Sequence, residues 1–502
     1  MFNLARSLDR NADRFPDTDA VLFRDARLTH RELLERVSAL AAAFAAAGVT
    51  KGDIVAVLLG NRPEFLETVL AANRIGAAFL PLNVRLAEPE LEYIVRHAGA
   101  VAVVTEPAFA APVAAIGERM TSPWTVVTVG EGELSYEEFL AGQRGAVVPA
   151  VEVGEADLHR LMYSSGTTAH PKGVPITYGN FYWKTIAQVA EFGITAADRT
   201  AMVGPMYHVG AFDLPGIGTW WVSGSLVILP RFDVPDLLRA IERDKPTNVW
   251  LAPAMVNAIL QAPELGGFDT SSIRFIIGGG EKMPVVLIER LLSAFPNARF
   301  ADAYGLTETV SGDTFNDRAH TLSKIGSVGK PVLNLDLKIL GPDDMEAGAD
   351  HPGEILLRGP KVVSGYWNNP EATAAAFTPD GWFRTGDIGH LDQDGYLYVD
   401  DRKKDMIVSG GENVASSEVE RVLYEHDAVL EAAVVGTPDP RWGEVPRAFI
   451  VVKPGQDVDA AALIAHCRAR LAGFKTPKDI VFLDVLPRTP SGKVLKRRLR
   501  EG

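Results

Sequence analysis

Short apolar runs alternate with amphipathic helical stretches along the chain, and this alternation constrains the fold more than any other feature. Ile54 to Leu59 is continuously apolar, and Pro63 then opens a run with Phe65, Leu66, Val69 and Leu70 at helical spacing. Comparable runs lie at 158–163, 225–229, 249–251, 273–277 and 299–303, with helical stretches between most of them. Strands without polar alternation are buried on both faces, so the pattern predicts an α/β fold with mostly parallel sheets flanked by helices. Upstream, Thr29 and Glu32 form a capping-box signature ahead of Leu33, Leu34, Val37, Leu40 and Phe44, and Gly48 ends the run.

From Lys338 to Asp400 the texture changes to short strands and turns, which predicts a small β-barrel-like region closing a large N-terminal domain, 1–400. Residues 401–502 read as a small α+β C-terminal domain. In it, Ser417 with Glu420 is expected to cap a helix, 431–435 and 447–452 to form strands, and 460–471 to be helical. At 502 residues with 47% apolar and 23% charged side chains, the chain can bury a core throughout.

Charge and cysteine use exclude several classes of partner. Fifty Lys and Arg against 64 Asp and Glu give −14, which repels a polyphosphate backbone, so nucleic acid is not expected as a partner. Cys467 is the only cysteine, which rules out an internal disulfide and suits a reducing, cytoplasmic location. The N-terminal stretch is broken by charges before an apolar core develops, and the most apolar stretch, 39–49, is too short to span a bilayer. Neither a signal peptide nor a transmembrane segment is expected.

Four segments carry chemistry. The first, YSSGTTAHPKGV at 163–174, follows a buried strand and offers the hydroxyls of Ser164, Ser165, Thr167 and Thr168, backbone N–H groups around Gly166, and the Lys172 ammonium. These are phosphate-binding groups, but no hydroxyl residue follows Lys172, so this is not a Walker A loop. The second, ADAYGLTET at 301–309, places Thr307 and Glu308 just past a strand, where a carboxylate beside phosphates suits Mg2+. The third holds Asp387 and Arg402 amid apolar strands, either as a local ion pair or as a site for ribose hydroxyls, and then Ser409, Gly410 and Gly411, which permit close approach to the backbone. The fourth, PRTPSGKVLKRRLREG, carries Lys493 in a turn of a basic tail.

In this order and spacing the four segments resemble the adenylate-forming superfamily of acyl-CoA synthetases, luciferases and nonribosomal-peptide adenylation domains, most of all the stand-alone acyl-CoA synthetases. The resemblance covers roughly 15–493. It implies an AMP-forming acid–thiol ligase in which a carboxylate attacks the α-phosphate of ATP, pyrophosphate leaves, and the thiol of coenzyme A then displaces AMP. It also implies that the C-terminal domain is mobile and presents two faces in turn. On this resemblance Lys493 is the catalytic cation and 164–172 hold the pyrophosphate portion. Thr307 and Glu308 serve phosphate and Mg2+, Asp387 and Arg402 hold the ribose, and Tyr304 stacks on adenine near Gly279, Gly280 and Glu281. Lys404 occupies the hinge, while Gly410, Gly411, Trp442 and Lys475 belong to the thiol side. Two positions depart from the commonest pattern: Ala169 stands where glycine is usual, and Ser416 where proline is frequent.

The acyl pocket implied by the resemblance is formed by Tyr207, His208 and Val209, by 250–253 and by Gly278 and Gly279, with His208 gating it. These stretches are mostly apolar, and Asp213 is not where the partner of a substrate ammonium is expected, which favours a mostly apolar carboxylic acid over an amino acid. The competing functions are loading of an acyl carrier protein and a non-catalytic nucleotide-binding module. The chain is expected to act as a monomer or homodimer.

Overall fold

A computed structural model describes residues 2–120, 124–164, 171–280, 283–403, 405–409, 412–489 and 492–501. The first 331 residues contain a nine-stranded and a six-stranded sheet. The nine-stranded sheet is parallel through Arg299–Tyr304, Phe275–Gly278, Asn248–Leu251, Arg199–Met202, Ser225–Ile228 and Asp19–Phe23, with antiparallel strands at its edges. The six-stranded sheet is parallel through Thr125–Thr128, Ala100–Thr105, Ile54–Leu58, Ala78–Pro81 and Leu158–Ser164. Helices His30–Ala46 and Pro63–Arg74 share one core with both sheets: Leu33, Phe44, Phe65 and Val69 pack with Val55, Phe79, Val21 and Leu226. Each such fully buried side chain contributes roughly 1.5–3 kcal/mol.

The capping box forms as read. The Thr29 hydroxyl accepts from the Glu32 N–H at 3.2 Å and Glu32 Oε2 accepts from the Thr29 N–H at 2.8 Å. Thr29→Ala is expected to destabilise the protein by about 1 kcal/mol, read as a lower denaturation midpoint at unchanged slope.

The β-barrel-like region read from 338 to 400 is a four-stranded antiparallel sheet: Asp336–Leu340, Gly353–Arg358, Phe383–Leu391 and Leu397–Arg402. Beyond it, Ile407–Ser409, Glu412–Val414, Val429–Asp439, Gly443–Val452 and Asp479–Phe482 form a five-stranded sheet. Helices Ser416–Tyr424 and Ala460–Arg468 pack on it through Val419, Leu423, Leu463 and Cys467. Among the described residues no helix is long and apolar enough to cross a membrane.

The expected cap at Ser417 and Glu420 does not form. The N-cap is Ala415, two residues earlier and without a side-chain cap, because stronger partners lie farther away in the chain. Ser416 donates from both N and Oγ to Asp401 Oδ2 at 2.6 Å, Ser417 Oγ donates to the Asp400 carbonyl, and Glu420 pairs with Lys496 at 2.8 Å. Lys496 also donates to Ser416 Oγ, and Arg500 pairs with Asp405 at 2.9 Å. The terminal helix Lys496–Glu501 is thereby tied to the helix 416–424 and to Asp405. A proline at 416 could make neither Ser416 bond.

Candidate active site

The segment at 163–174 is the connection of an antiparallel hairpin, since Leu158–Ser164 is followed by Lys172–Thr177. A returning strand stands where a helix closes the usual phosphate loop. Ser164 and Lys172 are the last register partners, so the hydroxyl and the ammonium stand opposite each other at the hairpin mouth. Ser165, Gly166, Thr167, Thr168 and Ala169 between them lie outside the described residues, as do Glu281, Lys404, Gly410 and Gly411.

Beyond Arg299–Tyr304, a single 3-10 turn at Thr307–Thr309 presents Glu308 to that mouth. Gly305 makes the bend, because a Cβ there would lie 2.5 Å from the Gly312 nitrogen. Glu308 is 9% exposed, and its Oε1 accepts from Ser164 Oγ at 3.3 Å and from the Tyr366 hydroxyl at 3.0 Å. The Lys172 ammonium sits 4.7 Å from the centre of the Tyr366 ring. Tyr366 thus links the carboxylate and the cation. The sequence reading missed it, since nothing in SGYWNN ties this aromatic to a carboxylate 58 residues earlier in the chain.

Asp387 and Arg402 are direct cross-strand partners on Phe383–Leu391 and Leu397–Arg402, 3.5 Å apart. Burial pushes the Asp387 carboxyl above its usual range, with Arg402, the Tyr304 hydroxyl and Lys493 opposing. Tyr304 donates to Asp387 Oδ2 at 2.7 Å, so the two residues read separately from sequence form one unit.

His208 is pushed down to about 4, first by burial and then by the Lys493 ammonium, with Asp213 opposing. Lys493 therefore lies within electrostatic reach of both His208 and Asp387. Its backbone is held in a closed turn by Thr489 N to Lys493 O at 2.7 Å and Lys493 N to Thr489 Oγ1 at 3.1 Å. His208 Nδ1 accepts from the Gly210 N–H at 3.1 Å, which places the proton of the neutral ring on Nε2. The His208 ring Hε1 resonance is expected to stay flat from about pH 8 to about pH 5 in a nuclear magnetic resonance titration, and an inflection near about 6.5 would contradict this reading.

Trp250 is 7% exposed and glycines surround it. A Cβ on Gly204, Gly210, Gly279 or Gly280 would meet its indole at 2.9, 3.1, 3.5 and 3.7 Å. Gly278 faces the other way, toward Phe300 and Met283. Tyr207 and Val209, which flank His208, are buried in the core shared by the two sheets.

On the small part, Ser409 pairs with Gly443, which brings Trp442 beside the 409–412 stretch. Trp442 is 41% exposed under the Arg441 guanidinium, 4.8 Å from the ring centre. Lys475 is held by both oxygens of Glu418, at 2.9 and 2.8 Å. A cavity of about 1030 Å³ opens between the four-stranded sheet and the helix 416–424, lined by Ile388, Tyr398, Val408, Glu418 and Tyr424 among others.

Residues 8–367 match the family described as AMP-binding enzyme, and residues 418–493 match its C-terminal domain. The chain belongs to the AMP-binding enzyme family. It is similar to a feruloyl-CoA synthase from Amycolatopsis sp, 39% identical over 98% of this chain and 97% of that one. An indoleacetate–CoA ligase from Aromatoleum aromaticum is 36% identical over 99% and 98%. Among solved structures, the anthranilate CoA ligase AuaEII in complex with anthranoyl-AMP superposes with a TM-score of 0.93 at 29% identity, over 99% of this chain and 96% of that one. The o-succinylbenzoate CoA synthetase from Bacillus subtilis, in complex with its acyl-adenylate, gives 0.86 at 33%, over 99% and 98%. This AMP-binding enzyme is thus an adenylate-forming acyl-CoA synthetase, an acid–thiol ligase with ATP and CoA as substrates.

Mg2+ is the usual partner ion of such enzymes, and the donor set fits it. Among the described residues there is no cluster of three or more metal-ligating side chains, but an ion that keeps several waters and binds mainly to substrate phosphates needs only one or two carboxylates. Glu308, with Oε1 engaged by two hydroxyls and Thr307 adjacent, supplies one.

This AMP-binding enzyme also carries a buried ionic network that the sequence did not announce. Arg160, 1% exposed, pairs through both terminal nitrogens with Asp213, 0% exposed, at 3.1 and 2.5 Å. Lys361 pairs with Asp313 at 2.6 Å, and the Lys184 amine donates to the Asp213 carbonyl at 2.5 Å. Asp213 is therefore engaged with Arg160.

Proposed function

We propose that this ligase activates a ring-bearing, mostly apolar carboxylic acid, with Lys493 as the cation of the first half-reaction. Support for the role comes from Lys493 lying within electrostatic reach of both His208 and Asp387, the residues read as facing the acid and the ribose. A carboxylate oxygen attacks the α-phosphorus of ATP, the bond to the β-phosphate oxygen breaks, and pyrophosphate leaves. Negative charge builds on the α-phosphate and the leaving group, and a cation already in place lowers the barrier because it need not reorganise. Ser164, Lys172 and the intervening loop would hold the leaving phosphates, with Asp387, Arg402 and Tyr304 fixing the nucleoside. Mg2+ held by Glu308 would neutralise phosphate charge. His208, neutral and donating from Nε2, would orient the acid rather than exchange a proton with it.

In the second half-reaction the CoA thiolate attacks the acyl carbonyl and AMP departs. The small domain, 401–502, would turn about Lys404 so that Lys493 leaves and the 409–412 backbone, Trp442 and Lys475 approach. A CoA phosphate would then compete with Glu418 for Lys475. The relatives named above are by name ligases of aromatic acids, and the rings of His208 and Trp250, 6.4 Å apart in the segments read as the acyl pocket, support a ring-bearing acyl group.

A panel of aliphatic and aryl acids scored by pyrophosphate release, with and without CoA, tests this reading. Release with aryl acids is the expected result, and activity confined to straight-chain acids would overturn the proposed acid class.

A further inference from the structure

Helix Tyr178–Phe192 turns one face toward the segment that follows His208. Ala187 clusters there with Ala211, Leu214 and Trp250, beside the segment read as the acyl pocket. Lys184 and Gln188, one helical turn apart on the same face, are each 1% exposed. The Lys184 amine donates to Gln188 Oε1 and to the Asp213 carbonyl, both at 2.5 Å. Gln188 Nε2, with two hydrogens to give, is buried with no hydrogen-bond partner among the described residues. An amide left in that state costs free energy unless something else supplies an acceptor.

Charge accounting points the same way. Lys184 interacts with Arg160, Lys361 and Asp213, Arg160 pairs with Asp213 and Lys361 with Asp313, so this buried group holds one base more than it holds acids. Burial pushes the Lys184 ammonium down to about 7; Arg160 and Lys361 add to the effect and Asp213 opposes it. The unpartnered Gln188 amide therefore borders the apolar cluster of Ala187, Ala211, Leu214 and Trp250. Asp213 lies five residues beyond His208, about 7 Å at helical rise, a span that a single aromatic ring can bridge.

We infer that Lys184 and Gln188 form a polar end to the acyl pocket that receives a hydrogen-bond-accepting oxygen, a phenol or ring carbonyl, on the part of the acid remote from its carboxylate. This rests on the ring-acid reading above and refines it. The oxygen accepts from the Gln188 amide and from the remaining hydrogen of the Lys184 amine, so an acid of equal size ending in a methyl group leaves the Gln188 amide buried and unmatched. Discrimination then falls on recognition of the acid and not on ATP or CoA.

The test uses a matched pair, 3-(4-hydroxyphenyl)propanoate and 3-(4-methylphenyl)propanoate, with kcat/KM from pyrophosphate release. The wild-type enzyme is expected to prefer the phenol by roughly 10–100-fold. Lys184→Met and Gln188→Leu are each expected to collapse that preference toward unity, mainly through KM for the phenol, while activity on the methyl compound and KM for ATP are retained. Retained methyl-compound activity reports a folded variant, and should Lys184→Met not fold, Gln188→Leu decides. A wild-type preference for the methyl compound, or variants that keep the phenol preference, would overturn the inference and leave the ring-acid reading intact. Pyrophosphate release with neither compound nor any other ring acid would overturn the ring-acid reading itself.

Discussion

Lys493→Ala lowers acyl-adenylate formation by about 10²–10³-fold, the loss expected when a preorganised charge is removed from developing negative charge. The same variant, given pre-formed acyl-adenylate and CoA, makes the thioester at close to the wild-type rate. The asymmetry follows from placement. The amine lies in the field of His208 and Asp387, where the acid and the nucleotide would meet, and its turn is closed by two hydrogen bonds to Thr489. On the proposed mechanism the amine would have left the cleft before thioester formation, so its loss would spare that step. Pyrophosphate exchange measures the first step and thioester absorbance from supplied adenylate the second. Equal losses in both would mean that the residue acts through folding or through a face shared by the two steps.

Glu308→Ala carries the second large effect, a fall in adenylation of about 10²-fold together with a steeper Mg2+ requirement. Removing the carboxylate takes away the acceptor of the Ser164 and Tyr366 hydroxyls and leaves the Lys172 ammonium above Tyr366 without the nearby negative charge. The decisive readout is the Mg2+ concentration giving half-maximal rate, which should rise well above the wild-type value. An unchanged Mg2+ dependence with a lowered rate would assign Glu308 to holding Ser164 and Tyr366 in place.

Much of this was legible in the sequence where the signal is local. The cap at Thr29 and Glu32, the strand ending at Tyr304 and the Thr307–Glu308 turn need only neighbouring residues to be recognised. Asp387 and Arg402 were legible as a pair because few residues separate the strands that carry them, although the register that sets them face to face is visible only in the sheet. The reading failed where partners are distant. Arg160 in LHRLMYS looks like one polar side chain in a strand; only a partner 53 residues away, Asp213, makes it a buried ion pair. Ser417 and Glu420 have the spacing of a cap, but Asp400 and Lys496 bind them more strongly than the helix end can. The hairpin 158–177 was read only as far as its first strand, since Pro175 and Gly173 interrupt the alternation that would have marked the second.

The clasp made by Lys496 with Glu420 and Ser416, and by Arg500 with Asp405, gives the end of the chain a mechanical meaning. The amine at 493 is mounted on a stiff lever and is not dangled on a string. If the small domain turns as proposed, the helix 416–424 would travel with that lever, so departure of the ammonium and arrival of the thiol-side backbone would be a single stroke. On the proposed mechanism the two chemistries would then exclude each other by construction, and the mixed anhydride would meet sulfur only after the charge that helped to make it had been carried away.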